Sequence, residues 1–270
     1  MVDTSRITVN CSILLTDLPL LHRPQAARDA GFDAVEFWWP FATAVPADRD
    51  VDAFVSAVED AGVRLTHLNF AAGDLSAGER GLLSHPATGA EFRDSVDVAI
   101  GIGARLGVVG FNALYGNRID DLAIELQDDL PAENLAFAAH AAATIGAGIL
   151  LEPLSAIPTY PLTRAAHAID VCDRLARDHG VDNAALLADL YHLAVNGENL
   201  DVVIDTVADR IGHVQIADVP GRGEPGTGSL DLSRPLAALA ARGYPGWISL
   251  EYIPTRSDTF DWVPDFPDFR

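Results

Sequence analysis

Eight short apolar runs alternate with amphipathic stretches along the chain, and this alternation limits the fold more than any other feature. The runs are TVNCSILL, AVEFWW, RLTHLNF, GVVGFNAL, GILLEPL, AALLADLY, GHVQIAD and WISLEY. Runs of this kind are typical of parallel strands that are buried on both faces. A run and the stretch after it occupy about 30 residues, the length of a βα unit. Eight such units predict an α/β protein with one closed (β/α)₈ TIM barrel, a single domain over residues 1–270.

The stretches between the runs have the periodicity of helices, and several end at a glycine, as helices often do. They predict helices over residues 24–30, 51–61, 91–106, 131–145, 163–179, 200–208 and 232–241. A doubly wound open sheet would instead need a glycine-rich fingerprint after an early strand. The dense glycine cluster, GRGEPGTG at 221–228, follows the seventh run and contains no GxGxxG. It predicts either a mobile loop over a site or ordinary turn chemistry. The long loop 71–90 is a second candidate wall of a pocket.

The charge of the chain excludes several classes of function. Thirty-nine acidic residues stand against eighteen basic ones, a formal net charge of -21, so we expect no nucleic-acid partner. All the basic residues are arginine, which excludes Schiff-base catalysis, covalent pyridoxal phosphate and a P-loop, since each needs a lysine. The two cysteines are too few for a disulfide framework. With no long apolar stretch and no signal-peptide pattern, we expect a cytoplasmic protein without a membrane partner.

Four polar side chains come at the ends of four consecutive runs in the second half of the chain. They are Glu152, Asp189, Gln215 and Glu251. In a barrel the carboxyl ends of the strands form one rim, where barrel enzymes carry their chemistry. Three carboxylates and an amide oxygen are donors that a hard cation prefers. The sequence therefore predicts a site for one divalent metal ion, Mg²⁺ or Mn²⁺, although any one of these acids alone is more typical of an exposed rim residue.

The same residues predict a reaction. Two carboxylates that face a metal-bound 2-hydroxy carbonyl can act as base and acid on adjacent carbons, and Glu152 and Glu251 are that pair. His192 could hydrogen-bond a substrate oxygen, and Arg222 could bind a carboxylate through its planar fork. A structural histidine and a solvated loop arginine are the alternatives for these two residues.

Polar residues also lie on the earlier runs. They are Asn10, Glu36, His67, Asn69 and Asn112. A buried glutamate needs a partner, and for Glu36 we expect a structural ion pair with an arginine across the barrel. Apolar helix faces such as AENLAFAAHAAATIGA favour self-association, so a homo-oligomer is expected.

Together these residues make the sequence resemble the hydroxypyruvate isomerase family, within the xylose-isomerase-like barrel isomerases and epimerases. The resemblance runs nearly end to end through VNCSILLTDLPLL, AARDAGFDAVEFWWPF, LNFAAGDLSAGERGL, LLEPLS, ADLYH, GENL, HVQIADVPGRGEPGTG and GYPGWISLEY. LNFAAGDLSAGERGL and HVQIAD are its more specific parts. Gln215 stands where many members of the wider group have a histidine. After LLEPLS the chain continues AIPTYPL, where many relatives carry a longer polar stretch, so the rim beside Glu152 is expected to differ.

The resemblance implies metal ligation by Glu152, Asp189, Gln215 and Glu251, proton transfer by Glu152 and Glu251, and substrate contacts from His192 and Arg222. It implies that the homo-oligomer is a dimer or tetramer. It also implies the substrate: hydroxypyruvate, converted reversibly to 2-hydroxy-3-oxopropanoate (tartronate semialdehyde) through a cis-enediolate. An isomerase or epimerase of a longer 2-oxo acid or a ketose, such as a 2-oxo-tetronate isomerase or a ketose 3-epimerase, is the nearest alternative. A metal-dependent nuclease of abasic DNA and a non-catalytic sensor of a small acid are more distant alternatives.

Overall fold

Parallel strands and helices alternate along the chain in the computed structural model, which describes residues 6–120 and 122–265. Each strand pairs in parallel with the next one in sequence, and β8 closes the sheet on β1. The strands are β1 (Ile7–Asn10), β2 (Ala34–Phe37), β3 (Arg64–Asn69), β4 (Gly110–Asn112), β5 (Gly148–Leu151), β6 (Ala184–Asp189), β7 (Ile211–Ile216) and β8 (Ile248–Leu250). Each lies within, or largely overlaps, one of the eight apolar runs. The predicted (β/α)₈ barrel is confirmed.

The helices lie between the strands in sequence and pack around the barrel. They are α1 (Arg23–Asp29), α2 (Asp48–Ala61), α3 (Gly89–Leu106), α4 (Ile124–Ala143), α5 (Ala165–His179), α6 (Leu190–Val195), α7 (Leu200–Val207) and α8 (Ser233–Ala241). All seven predicted helices are present. The start of α4 differs, because the helix continues through Pro131, where the sequence pattern placed its first residue. Within the described residues, none of the helices is long and apolar enough to cross a membrane.

Helix α6 is not among the helices predicted from the sequence. Its residues LYHLAV continue the apolar run of β6, so the run reads as one longer strand. In the structure β6 stops at Asp189, whose carboxylate accepts hydrogen bonds from the backbone N–H groups of Tyr191 and His192. A side-chain acceptor of this kind satisfies N–H groups that have no partner within the first helical turn. The cap therefore turns the chain into a helix at the rim of the barrel.

The side chains at the carboxyl ends of the strands are polar, although the strands themselves are buried. The last or next-to-last residues of strands β1, β3, β4, β6 and β7 are Asn10, Asn69, Asn112, Asp189 and Gln215, and each is at most 8% exposed. Glu152 and Glu251 follow directly after β5 and β8 and are buried as well. A buried polar group is costly unless it has a partner. This concentration of polar groups at one end of the barrel therefore marks the candidate site.

Candidate active site

The four predicted strand-end residues lie together in the structure. Asp189 and Gln215 are neighbours in the pairing of β6 with β7. Gln215 Nε2 donates to Glu251 Oε2 at 2.5 Å. Arg222 Nη2 donates to Glu251 Oε1 at 2.5 Å and to Asp189 Oδ2 at 3.1 Å. Oxygens of Glu152 and Asp189 lie within 4.8 Å of each other. These contacts bring the four side chains together at the rim of the barrel, linked in pairs directly or through Arg222.

Burial gives the two glutamates unusual acidities. Burial raises the pKa of Glu152 to about 8, and the neighbouring charge of Asp189 adds to the effect. Burial also raises the pKa of Glu251 well above its ordinary value, although the Arg222 guanidinium opposes this rise. Taking a carboxylate out of water disfavours its charged form unless a cation compensates. Carboxyl groups with a pKa near the working pH are suited to exchange protons with a substrate.

The donor set fits one hard divalent cation. Gln215 donates through Nε2 to Glu36 Oε1 at 2.9 Å as well as to Glu251, which leaves its carbonyl oxygen facing away from both carboxylates. That oxygen is buried and accepts no hydrogen bond from the described residues. An unsatisfied buried acceptor at a rim that also carries three carboxylates is suited to a cation, which would satisfy the amide oxygen and neutralise the acids.

His192 lies in the first turn of α6, next to the acids. Its Nδ1 accepts a hydrogen bond from the Ser155 backbone N–H at 3.1 Å and lies 2.7 Å from the Ser155 hydroxyl. Burial lowers the pKa of His192 to about 4, so the ring is neutral at pH 7. With Nδ1 as an acceptor, the neutral ring carries its proton on Nε2, which lies 3.6 Å from Asp189 Oδ2 and 4.0 Å from Glu152 Oε1. His192 therefore presents a neutral N–H donor to the site.

Arg222 is largely buried at the rim instead of solvated in its loop. Besides its ion pairs with Asp189 and Glu251, its guanidinium lies 5.4 Å from the centre of the Tyr191 ring. Its backbone has φ 59°, a left-handed conformation that a residue other than glycine rarely adopts. The carbonyl of Arg222 also accepts from Ile253 N at 2.7 Å, which ties the loop to the segment after β8.

The glycine-rich loop that carries Arg222 is held by one buried aspartate. The carboxylate of Asp218 accepts from the backbone N–H groups of Val219, Gly226, Gly228 and Leu230, at 2.7 to 2.9 Å. Asp218 is itself 1% exposed. The segment 221–228 is thus organised by turn hydrogen bonds and also lines the site through Gly221 and Arg222, and its mobility stays a prediction.

The prediction that an arginine pairs with Glu36 is wrong. Instead of an arginine, His213 Nε2 lies 2.6 Å from Glu36 Oε2, and the amides of Asn10 and Gln215 donate to Oε1. The His213 ring stacks on the ring of His67, with 3.7 Å between centroids. Contacts with residues so far apart in the chain cannot be read from the sequence. The alternation of β7 was an available signal, because it places His213 and Gln215 on the same face of that strand.

Three further contacts of the site were not assigned from the sequence. Asn112 Nδ2 donates to Glu152 Oε2 at 2.7 Å, and Asn10 Nδ2 donates to Glu251 Oε2 at 2.6 Å. Ser155 orients His192, as described above. Asn10 and Asn112 had been noted as polar strand residues without a role. Each amide donates to one carboxylate oxygen of its glutamate and so holds that side chain in place. It makes no hydrogen bond to the other oxygen of the same carboxylate.

A cavity of about 620 Å³ opens above these residues. Both glutamates, His192 and Arg222 line it, together with residues at the ends of β2 to β8 and in the loops that follow them. The other residues of its wall are Trp38, Asn69, Leu75, Ser76, Arg80, Leu114, Leu154, Ser155, Ala156, Ile157, Tyr191, Gly221 and Ile253. Apolar and aromatic walls with a few convergent polar groups are typical of small-molecule sites.

Known proteins share this fold and much of this sequence. The family model described as Xylose isomerase-like TIM barrel matches residues 24–265. A putative hydroxypyruvate isomerase of Streptomyces coelicolor is 52% identical, over 96% of this chain and 95% of the relative. The hydroxypyruvate isomerase of Escherichia coli is 33% identical, over 92% of this chain and 93% of the relative. A 2-oxo-tetronate isomerase of Cupriavidus necator is 32% identical, over the same shares.

A crystal structure of a Brucella melitensis protein, named AP endonuclease, family 2, is similar in fold, with a TM-score of 0.85 and 30% identity over 97% of this chain and 98% of that one. The resemblance found in the sequence is therefore confirmed over nearly the full chain. The chain belongs to the xylose isomerase-like TIM barrel family and is an isomerase related to the hydroxypyruvate isomerases.

Proposed function

We propose that the protein is a metal-dependent isomerase that interconverts hydroxypyruvate and 2-hydroxy-3-oxopropanoate. The observation that carries the proposal is the pair of buried glutamates, Glu152 and Glu251, which line one cavity with raised pKa values. The names of the Streptomyces and Escherichia relatives support the choice of substrate. The carbonyl oxygen of Gln215, which is buried and accepts no hydrogen bond from the described residues, supports the metal.

In this proposal Glu152, Asp189, Gln215 and Glu251 hold Mg²⁺ or Mn²⁺. When bound, the cation supplies positive charge that polarises the substrate carbonyl and makes the neighbouring C–H more acidic. One glutamate removes a proton from C3 of hydroxypyruvate, and the other delivers a proton to C2 of the resulting cis-enediolate. The hydroxyl proton passes from the oxygen on C3 to the oxygen on C2, which converts the ketone into the aldehyde. In the reverse direction the two glutamates exchange roles.

The neutral side chain of His192 has a separate part in the reaction. Its Nε2–H can donate a hydrogen bond to a substrate oxygen without adding a charge to the site, and Ser155 keeps the ring in that tautomer. Arg222 balances the negative charge of Asp189 and Glu251. The binding of the substrate carboxylate by Arg222 stays a prediction.

The size of the cavity favours a second candidate substrate. A volume of about 620 Å³ lies within the range of sites for ligands much larger than a three-carbon acid. A longer 2-oxo acid or a ketose would fit, and one relative is named 2-oxo-tetronate isomerase. Comparison of kcat/KM for hydroxypyruvate, 2-oxo-tetronate and a free ketose distinguishes these functions. We expect hydroxypyruvate to be preferred, and a preference for the four-carbon acid would move the assignment to it. If no 2-hydroxy carbonyl is turned over with either metal, the proposed reaction and its substrate class are wrong.

We expect added Mg²⁺ or Mn²⁺ to raise the Tm more at about pH 8.5 than at about pH 6. The folded protein keeps a proton on Glu152 up to about pH 8, whereas the unfolded chain loses it near its ordinary value, a little above pH 4. Between these values the folded state binds more protons, so without metal its stability falls as pH rises. A cation replaces the proton and restores that stability. Thermal unfolding with and without metal, against Na⁺ at matched ionic strength, measures the difference, and an equal shift at both pH values would contradict it.

The remaining predictions concern partners and location. The formal charge of -21 opposes binding to a phosphate backbone, so we propose no action on DNA, although the similar Brucella protein is named an endonuclease. A homo-oligomer and a cytoplasmic location also stay predictions.

A further inference from the structure

Two arginines line the cavity, and they differ in their partners. The terminal Nη2 of Arg222 is already occupied by Asp189 and Glu251. Arg80 reaches the cavity from the long loop after β3, in the sequence GERG that belongs to the most specific part of the resemblance. Its Nη1 donates to the backbone carbonyls of Leu75 and Glu79, at 2.9 and 2.6 Å. Within residues 6–120 and 122–265, no carboxylate pairs with it.

The free edge of Arg80 has the shape of a carboxylate receptor. A guanidinium has five N–H donors, and the two carbonyls use those of Nη1. The donors of Nε and Nη2 make no hydrogen bond within the described parts of the chain. They lie side by side on one edge of the group, and this edge binds a carboxylate through two parallel hydrogen bonds.

The loop holds the peptide unit that follows Arg80 at both of its polar groups. The carbonyl of Arg80 accepts from Gly116 N at 2.8 Å, and Gly81 N donates to Ala72 O at 2.9 Å. Gly81 has φ +123°, and a Cβ at this position would lie 2.0 Å from the carbonyl oxygen of Leu114, so only glycine fits. Preorganised donors lose less freedom when a ligand binds.

The charges of the site set where an acidic substrate can place its carboxylate. In the metal-loaded enzyme the proposed cation and Arg222 together offset the charges of Glu152, Asp189 and Glu251, which leaves no surplus positive charge there for a substrate carboxylate. The carboxylate is therefore best placed at another part of the cavity wall, with the hydroxy-carbonyl end towards the glutamates. The Arg80 guanidinium is a cation on that wall with no anionic partner in the described chain.

We propose that Arg80 binds the substrate carboxylate through its Nε and Nη2 donors and makes the enzyme selective for hydroxy-carbonyl acids over neutral sugars. This inference rests on the proposed function, because it takes the substrate to react at Glu152 and Glu251. It assigns to Arg80 the carboxylate binding that is predicted for Arg222 from the sequence.

The test compares a charged and a neutral substrate in the metal-loaded enzyme. For Arg80→Met we expect kcat/KM for hydroxypyruvate to fall roughly 10- to 100-fold, mainly through KM, since a pair of charge-assisted hydrogen bonds is lost. The rate for dihydroxyacetone, which has a CH₂OH group in place of the carboxylate, should change less than about twofold. Arg80→Lys, which keeps the charge without the fork, should fall between Arg80→Met and wild type for hydroxypyruvate.

Two further variants separate charge from loop structure. Arg118→Met removes an arginine that lies outside the cavity wall and pairs with Asp128, and it should leave both rates unchanged. Asp74→Ala removes the carboxylate that caps the turn Leu75–Ala77, whose Leu75 carbonyl accepts from Arg80, so any loss it causes should be larger for hydroxypyruvate than for dihydroxyacetone. Equal losses for both substrates in Arg80→Met, or no loss for either, would overturn the inference.

A binding experiment keeps this inference separate from the proposed function. 2-Oxobutanoate carries the carboxylate but lacks the hydroxyl that isomerisation requires, so its Kd is independent of turnover. Calorimetry should give a Kd raised roughly 10- to 100-fold in Arg80→Met and an unchanged Kd in Arg118→Met. If wild type fails to isomerise hydroxypyruvate but this contrast holds, the proposed function is wrong and the acid subsite stands. If wild type and Arg80→Met bind 2-oxobutanoate equally, or neither binds it, the subsite is wrong.

Discussion

Glu251→Gln should lower kcat for hydroxypyruvate by about 10³-fold or more, with little change in the Tm. General acid–base catalysis contributes about 10²- to 10⁴-fold, and the same change removes a charge from the proposed cation site. The amide keeps one oxygen to accept from Asn10 or Gln215, so the fold should survive. Steady-state kinetics and thermal unfolding measure the two effects. Glu133→Gln, on the exposed side of α4, is the matched control and should have full activity.

The loss in Glu251→Gln needs to be assigned to proton transfer or to metal binding. Activity is therefore measured while Mg²⁺ or Mn²⁺ is raised to saturation, with binding followed separately by calorimetry. We expect the rate to stay low after the site is filled, and Glu152→Gln to behave in the same way. A variant that regains wild-type kcat at high metal would show that its glutamate only binds the cation. Full activity of Glu251→Gln without added metal would contradict both roles of this glutamate.

Asp218→Ala should cost about 3 kcal/mol of unfolding free energy and most of the activity. The change leaves four backbone N–H groups of the loop without their acceptor. These hydrogen bonds are only part-buried, so water can replace some of them, and we expect a total cost near the upper end of the about 1–3 kcal/mol of one unsatisfied buried donor. For a chain of this size, that loss lowers the Tm by roughly 6–12 °C. The loop also carries Arg222, so its rearrangement would remove the cation that pairs with Asp189 and Glu251.

The matched control for this change is Asp231→Ala in the segment before α8. Asp231 is exposed and makes one long contact, 3.4 Å to Arg234 N, so its removal should shift the Tm by about 1–2 °C at most. Asp218→Asn should lie between wild type and Asp218→Ala, because its amide keeps one oxygen as an acceptor. If Asp218→Ala has the same Tm and kcat as Asp231→Ala, the loop does not depend on the buried carboxylate.

The barrel was predictable because its pattern is local. Each strand is an apolar run, each helix has its own periodicity, and the order of strands follows from eight repeated βα units. The same locality explains the acids of the site, since a polar residue at the end of a buried run lies at the carboxyl rim in any such barrel. Where local patterns overlap, the prediction failed. Helix α6 continues the apolar run of β6, and only the capping contacts of Asp189 show where the strand stops.

Contacts between distant residues were beyond the sequence. Glu36 needed a partner, but nothing in the sequence identified His213, which is 177 positions away along the chain. The ion pairs of Arg222 depend on a loop whose course is set by Asp218. Arg80 was part of a motif without an assigned role, because its free edge is recognisable only when the two carbonyls that occupy Nη1 are known.

The amide of Gln215 connects the buried Glu36 to Glu251 at the rim of the barrel. Both of its N–H groups are engaged, one by Glu36 and one by Glu251, so a rotation that exchanged oxygen and nitrogen would set a carbonyl against two carboxylates. Its oxygen is thus fixed in direction before any ion arrives. A glutamate of the same shape would add one more acid and could donate neither hydrogen bond. This position therefore needs a side chain that carries both a hydrogen-bond donor and an acceptor oxygen or nitrogen.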